Sequence, residues 1–281
     1  MRLSPVVLRI ALPLAAGFGL VFAALAHAIV VAPHHVFLDP RTRSGVLYLH
    51  NAGPAPEEAT IEFIFGYPVS DSAGDVSVRL IQDPDSTEPS MAGWIHAFPR
   101  RTMVGPGETR AVRLLLRPPT DISDGEYWTR AVVTSRAARV ADATSEAGGV
   151  RVGLTLEVRT VIPVTYRKGA VTTGAVFTRV EHVLAGDSLR VRVAMRRSGN
   201  AAFLGTLHVT LEDAFDTVVA REEREIAIYH ELARDLALPV ADLPGGGYTL
   251  RARLDTERSD LDPGLVLYAR PVETAVPVRL P

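Results

Sequence analysis

Asp121-Ile122-Ser123-Asp124-Gly125-Glu126-Tyr127 in the first half of the chain is answered by Asp242-Leu243-Pro244-Gly245-Gly246-Gly247-Tyr248 in the second. Each follows an alternating, Arg-containing strand pattern and precedes another. Matching punctuation of this kind is how a duplicated architecture shows itself. A tyrosine directly after such a turn, at the start of the penultimate strand, is where β-sandwiches place a tyrosine corner, its hydroxyl bonding back to nearby backbone. Tyr127 and Tyr248 are therefore the corner candidates, against the alternative that they are ordinary half-buried strand tyrosines.

Working outward, short β-like runs alternate with Gly, Pro, Asp and Asn turns from Ile29 onward, and no strong apolar helical stripe interrupts them. The first half predicts strands at Val30–Phe37, Ser44–His50, Glu58–Phe65, Trp94–Pro99, Arg110–Leu116, Tyr127–Ser135 and Val150–Tyr166. Gly66–Gly93, which contains Pro68, Pro84 and Pro89, reads as an inserted hairpin or arm with a strand at Val76–Ile81. Ala137–Gly149 reads as a long loop. After Arg167-Lys168-Gly169 a second series begins: Ala175–Leu184, Ser188–Arg197, Gly205–Glu212, Thr217–Ala220, Arg224–Tyr229, Arg234–Val240, Gly247–Asp255 and Leu265–Leu280. Asn51-Ala52-Gly53 and Ser198-Gly199-Asn200 follow early strands as turns suited to positive φ.

The fold class is all-β: two tandem immunoglobulin-like sandwiches, which suits 281 residues at roughly 100 residues per sandwich. Three divisions are expected: a signal peptide over 1–28, a first sandwich over 29–168 and a second over 169–281. The signal assignment rests on Arg2 and Arg9, the apolar run Ile10–Leu25 and the small residues of Ala26-His27-Ala28. The alternative is an uncleaved membrane anchor, because the apolar stretch continues through Ala32 and reaches spanning length. The expectation is export, with envelope anchoring if cleavage fails.

With 47% hydrophobic and 22% charged residues the chain has the composition of a folded protein. A net charge of −2 and dispersed arginines leave no footprint for nucleic acid. There is no cysteine, which removes disulfides, thiol nucleophiles and thiolate metal sites. His34-His35 is the one adjacent histidine pair, but strand neighbours face opposite ways and cannot easily chelate one ion. Asp255, Glu257, Asp260 and Asp262 read as a solvated acidic turn, lacking the form of a calcium loop. Nucleophile elbow, phosphate loop, dinucleotide fingerprint and His-Glu-x-x-His are all absent from the sequence. The expectation is a non-enzyme without cofactor or metal.

One segment carries a mechanism. In Val150-Arg151-Val152-Gly153-Leu154-Thr155-Leu156-Glu157-Val158, every other residue is apolar. As the last strand of its sandwich, it can offer unpaired backbone and a row of apolar side chains to another chain. The plainer alternative is that these side chains fill the domain's own core.

Over about Val30 to Arg167 the sequence resembles the periplasmic pilus-assembly chaperones of the PapD-like group. The resemblance is carried by Val31-Ala32-Pro33-His34-His35-Val36-Phe37-Leu38-Asp39-Pro40, Pro99-Arg100-Arg101-Thr102-Met103-Val104-Gly105-Pro106-Gly107-Glu108-Thr109, Arg117-Pro118-Pro119, Asp124-Gly125-Glu126-Tyr127 and Ile162-Pro163-Val164-Thr165-Tyr166-Arg167. It implies strand donation to an exported subunit whose sandwich lacks a strand, with Val150, Val152, Leu154 and Leu156 as the lending positions and an outer-membrane usher as a further partner. It also implies two basic residues anchoring the subunit's C-terminal carboxylate. Here the first-strand position is His35, and the last-strand position falls on Val161 with Arg159 two residues earlier; the chain departs from the pattern at both. His35 and Arg159 are the candidate anchors. The second half carries no chaperone-specific motif, and Gly199-Asn200-Ala201-Ala202-Phe203 resembles a generic adhesive or spacer sandwich. The competing function is a structural or adhesive envelope protein.

Overall fold

The computed structural model describes residues 29–137 and 157–281. The expected signal peptide, the Ala137–Gly149 loop beyond its first residue and the four lending positions lie outside the described residues.

Among the described residues the first half forms ten strands: β1 Ile29–Ala32, β2 Val36–Leu38, β3 Ser44–Asn51, β4 Glu57–Ser70, β5 Val76–Ile81, β6 Ile95–Phe98, β7 Arg101–Val104, β8 Thr109–Leu116, β9 Gly125–Ala137 and β10 Glu157–Lys168. They make two sheets, ordered β1-β3-β8-β6 and β2-β10-β9-β4-β5, with β7 also on β4. The second half forms β11 Thr173–Ala185, β12 Ser188–Gly199, β13 Phe203–Glu212, β14 Val218–Ile228, β15 Glu231–Pro239, β16 Gly246–Asp255 and β17 Val272–Leu280. These pair as β11-β12-β15 and β14-β13-β16-β17, the three-plus-four arrangement of an immunoglobulin-like sandwich. Among the described residues no helix is long and apolar enough to cross a membrane.

The inward positions of paired sheets close two separate cores, one around Leu47, Ile61, Val112 and Val164 and the other around Val193, Leu207, Leu250 and Ile228. The alternating patterns produce them: β8 buries Val112, Leu114 and Leu116 and exposes Arg113 between them.

Three expectations change in detail. The predicted Val30–Phe37 strand is two strands in different sheets, β1 on β3 and β2 on β10, divided at Pro33, which has no N–H to give a ladder. The separate runs Thr217–Ala220 and Arg224–Tyr229 are one strand, β14, because pairing with β13 continues through the polar residues Arg221–Glu223. The last strand begins at Val272 rather than Leu265, since Pro263–Leu265 is a 3-10 turn. The expected arm exists: β4 runs on to Ser70 and pairs β5 as a hairpin.

Both tyrosine corners form. The Tyr127 hydroxyl donates to the Ser123 carbonyl (3.0 Å) and the Tyr248 hydroxyl to the Pro244 carbonyl (2.7 Å), the same offset of four residues in each sandwich. We predict that Tyr127→Phe and Tyr248→Phe each cost about 1 kcal/mol in urea unfolding. Tyr248→Phe should cost more, because its bond is part-buried and that of Tyr127 exposed; equal midpoints for both variants and the parent would show that the corners contribute nothing. Of the two expected positive-φ turns, Gly199 adopts φ 82°. Asn51 acts otherwise: its buried side chain accepts from the Gly53 N–H and donates to the Ala55 and Val104 carbonyls.

Candidate functional site

Register decides which residues of β9 and β10 face away from the first core. Pro163 stands opposite Arg130, Thr165 opposite Trp128 and Arg167 opposite Glu126, with Phe37 of β2 beside Thr165. Cross-strand partners share a face, so this row lies on the side opposite Ile162, Val164 and Tyr166. An outward face is ordinarily wet. Here it is covered: Trp128 is 0% exposed, Glu126 3% and Arg130 4%.

The cover is the second sandwich. Phe65 and Trp128 of the first half pack with Ala202, Leu204 and Tyr229 of the second, and Leu261 from the β16–β17 connection joins them. Trp128 lies 4.9 Å from the Tyr229 ring and 5.8 Å from Phe65, distances at which aromatic pairs add to their burial.

Polar groups cross the same junction. Arg167 Nε donates to Glu126 Oε2 (2.8 Å), while Glu126 Oε1 accepts the Ala202 N–H (3.1 Å). Burial raises the Glu126 carboxyl above its ordinary pKa, and the Arg167 charge and hydrogen bond oppose that rise. Asn200 ties the linker: its side chain accepts from Thr172 N and donates to the carbonyls of Ala170 and Asp124, and its own carbonyl accepts the Glu126 N–H. At the far end of the arm, Ser70 Oγ donates to the Ala233 carbonyl (2.6 Å) and accepts its N–H (2.8 Å), and Val76 packs on the second core.

His35 sits at this junction. Its ring stacks on Phe37 at 3.9 Å and its Nε2 lies 2.9 Å from Thr165 Oγ1. Burial first, then the charges of Arg130, Arg167 and Arg258, lower its pKa to about 3. His35 is therefore neutral throughout the ordinary pH range and serves as a hydrogen-bonding wall rather than a cation. Arg159 is six residues up the strand from Thr165, about 20 Å at 3.3 Å per residue; its exposed side chain pairs with Glu157 at 3.0 Å. The two candidate anchors do not meet. The cations that do meet around His35 are Arg130, Arg167 and Arg258, with the Asp260 carboxylate opposing them, and none of them stood out in the sequence as an anchor. Arg130 Nε donates to the Gly66 carbonyl and its guanidinium lies over Tyr229, while Arg167 lies over Phe37. Arg130 Nη2 and Arg167 Nη2 are each buried with no hydrogen-bond partner among the described residues, and a guanidinium N–H is a donor suited to a carboxylate.

The open edge is the other feature of the site. β10 pairs β9 along its whole length, from Glu157 to Lys168, whereas on its other side β2 covers only Val164–Tyr166. From Glu157 to Pro163 that edge has no partner among the described residues. Its inward positions continue the upstream alternation through Val158, Thr160 and Ile162.

His34 is exposed while His35 turns inward. The acidic turn is not simply solvated: Asp260 pairs with Arg258 through two contacts of 2.6 and 2.5 Å, and Asp262 accepts the Gly264 N–H.

The fold and its edge together define a class: a tandem pair of immunoglobulin-like sandwiches, locked at the junction, with the last strand of the first one unpartnered on one side from Glu157 to Pro163 among the described residues. The solved structures that the chain is similar to include several chaperones of fimbriae and pili. The CupB2 chaperone of Pseudomonas aeruginosa is 12% identical, with 90% of this chain and 100% of that chain covered and a TM-score of 0.45. The CsuC–CsuE chaperone–tip adhesion subunit complex from the archaic Csu pili of Acinetobacter baumannii is 10% identical, covering 88% and 97%, with a TM-score of 0.47. The YadV chaperone is 16% identical, covering 90% and 99%, with a TM-score of 0.43. No protein-family signature matches the chain, and no curated protein matches it.

Proposed function

We propose that this protein is a non-catalytic periplasmic chaperone that binds exported pilus- or fimbria-type subunits by lending them a β-strand. The observation that carries this reading is the half-open edge of β10, from Glu157 to Pro163, contiguous in sequence with the alternating run Val150, Val152, Leu154 and Leu156. Unpaired strand edges invite another chain, and natural proteins usually blunt or cover them. An added strand would take its affinity from backbone hydrogen bonds and its specificity from alternate side chains. The division at Lys168/Gly169 belongs to the same proposal, each part having its own core. For the subunit's terminal carboxylate we assign Arg167 and Arg130, beside neutral His35; Arg159 is left at the edge with Glu157. A second partner such as an outer-membrane usher is offered the outward side of β1-β3-β8-β6, where Val30, Tyr48 and Phe98 are each at least half exposed.

The test is capture of subunits from a periplasmic extract by the purified protein. Leu154→Arg and Leu156→Arg should weaken capture by about thirtyfold or more, the effect of losing a central contact worth about 2 kcal/mol. Amide exchange at Val150–Val158 should be fast in the free protein and slow in the complex. Strong protection in the free protein, with both variants still binding, would leave a structural or adhesive envelope module instead.

A further inference from the structure

The second sandwich reaches back over the Arg167 seat with one loop, the β16–β17 connection running from Thr256 to Pro271. Contacts to both sandwiches hold it there, among them hydrogen bonds from Thr206 Oγ1 to the Glu257 carbonyl (2.6 Å) and from Ser259 Oγ to Glu225 (3.0 Å). Leu261 packs into the aromatic cluster at the junction. The Leu265 carbonyl accepts from Arg167 Nη1 at 2.5 Å. Arg258, largely buried, donates to the Ile226 carbonyl (3.0 Å) and pairs with Asp260, which pins the loop's first turn to its own sandwich. The outer side of the loop is free: Leu265 is 39% exposed and Tyr268 78%.

The chemistry at Arg167 is unequal. Nε is committed to Glu126, an acidic partner buried in the junction. Nη1 is given to a neutral backbone carbonyl on a surface loop, and Nη2 to nothing among the described residues. A carboxylate makes charge-assisted, two-pronged bonds to a guanidinium and outcompetes a carbonyl for the same N–H groups. We propose that the Thr256–Pro271 loop is a built-in strap: in the free protein the Leu265 carbonyl occupies the Arg167 donor, and an incoming carboxylate must displace it to bind. This rests on the assignment of Arg167 as the carboxylate seat made above.

The strap has a thermodynamic signature. If the seat is open only a fraction of the time, apparent affinity falls by that fraction, and loosening the loop restores it. The contact to loosen is Leu261, which is on the loop and not on the seat. The probes are a seven-residue peptide of alternating valine and threonine with a free C-terminal carboxylate, and the same peptide amidated, both titrated into the full chain. Leu261→Ser should bind the acid peptide about tenfold more tightly than the parent does, and the amide no better. A second variant, with Ser259–Leu265 shortened to two glycines, should behave alike. Amide exchange across Ser259–Val266 should accelerate when the acid peptide is added to the parent protein.

Preference for acid over amide with no gain in either variant, and no change of exchange in the loop, overturns the strap and leaves the seat standing. Equal binding of acid and amide, in parent and variants, overturns the seat and the strap with it. No binding of either peptide overturns the strand-lending reading on which both rest.

Discussion

Trp128→Ala is expected to cost about 3–5 kcal/mol, the range for deleting a large buried aromatic, and to change how the protein unfolds as well as when. Trp128 is fully buried, but not in either sandwich's own core; it belongs to the separate cluster with Phe65, Ala202, Leu204 and Tyr229. Its loss removes the centre of the junction and leaves both cores packed. Domains joined through a modest interface behave independently once that interface is weakened. The parent should therefore unfold in one transition and the variant in two. The chain has two tryptophans, so the variant's fluorescence reports Trp94 alone, next to Tyr127 in the first sandwich. In urea, fluorescence should then move at a lower concentration than far-UV circular dichroism, which sums both halves. Coincident curves in the variant at the parent's midpoint would show that the junction contributes no coupling.

Arg167→Met should cost about 3–5 kcal/mol at pH 7.5, because it strands the Glu126 carboxylate in the junction without its partner. The companion Glu126→Leu, made in the same chain, should recover most of that loss, since a buried pair replaced by apolar groups is often near neutral. The pH dependence has a definite sign. Burial already raises the Glu126 pKa, and removing Arg167 takes away the largest force opposing that rise. A carboxyl with a raised folded-state pKa binds its proton more readily folded than unfolded. The variant's deficit should accordingly be largest at pH 7.5 and shrink as the pH falls toward 5, where the unpaired acid takes up a proton. Urea midpoints of parent, single and double variants at the two pH values measure this. A deficit independent of pH, or a double variant no better than the single, would rule out Glu126 as the source.

Much of this was legible in the residues. Period-two alternation marked the strands, Asp-Gly and Gly-rich turns marked the hairpins, and Tyr127 and Tyr248 announced their corners because a tyrosine corner depends only on backbone four residues away. The junction was not legible. Glu126, Trp128 and Arg130 share one face of β9, and no local pattern says what covers that face; a signal was present all the same, since a tryptophan beside a tyrosine on successive strand positions puts a large ring on each side of the sheet. Gly199-Asn200-Ala201-Ala202-Phe203, which resembled part of a generic spacer sandwich, supplies the latch between the halves through Asn200 and Ala202, and His35, one of the two candidate anchors, has its pKa lowered to about 3 by burial and nearby arginines.

The division follows from what each level of description contains. The sequence by itself determined the all-β class, the two cores and the turns, because strand period and turn chemistry act between residues close along the chain. Only the tertiary structure decided which polar face is buried, where Arg159 stands relative to His35, and that among the described residues β2 covers three residues of β10 and leaves the stretch from Glu157 to Pro163 without a partner on that side. Those outcomes depend on pairings between segments more than a hundred residues apart, and nothing in a local pattern records which strand edge a distant segment will reach.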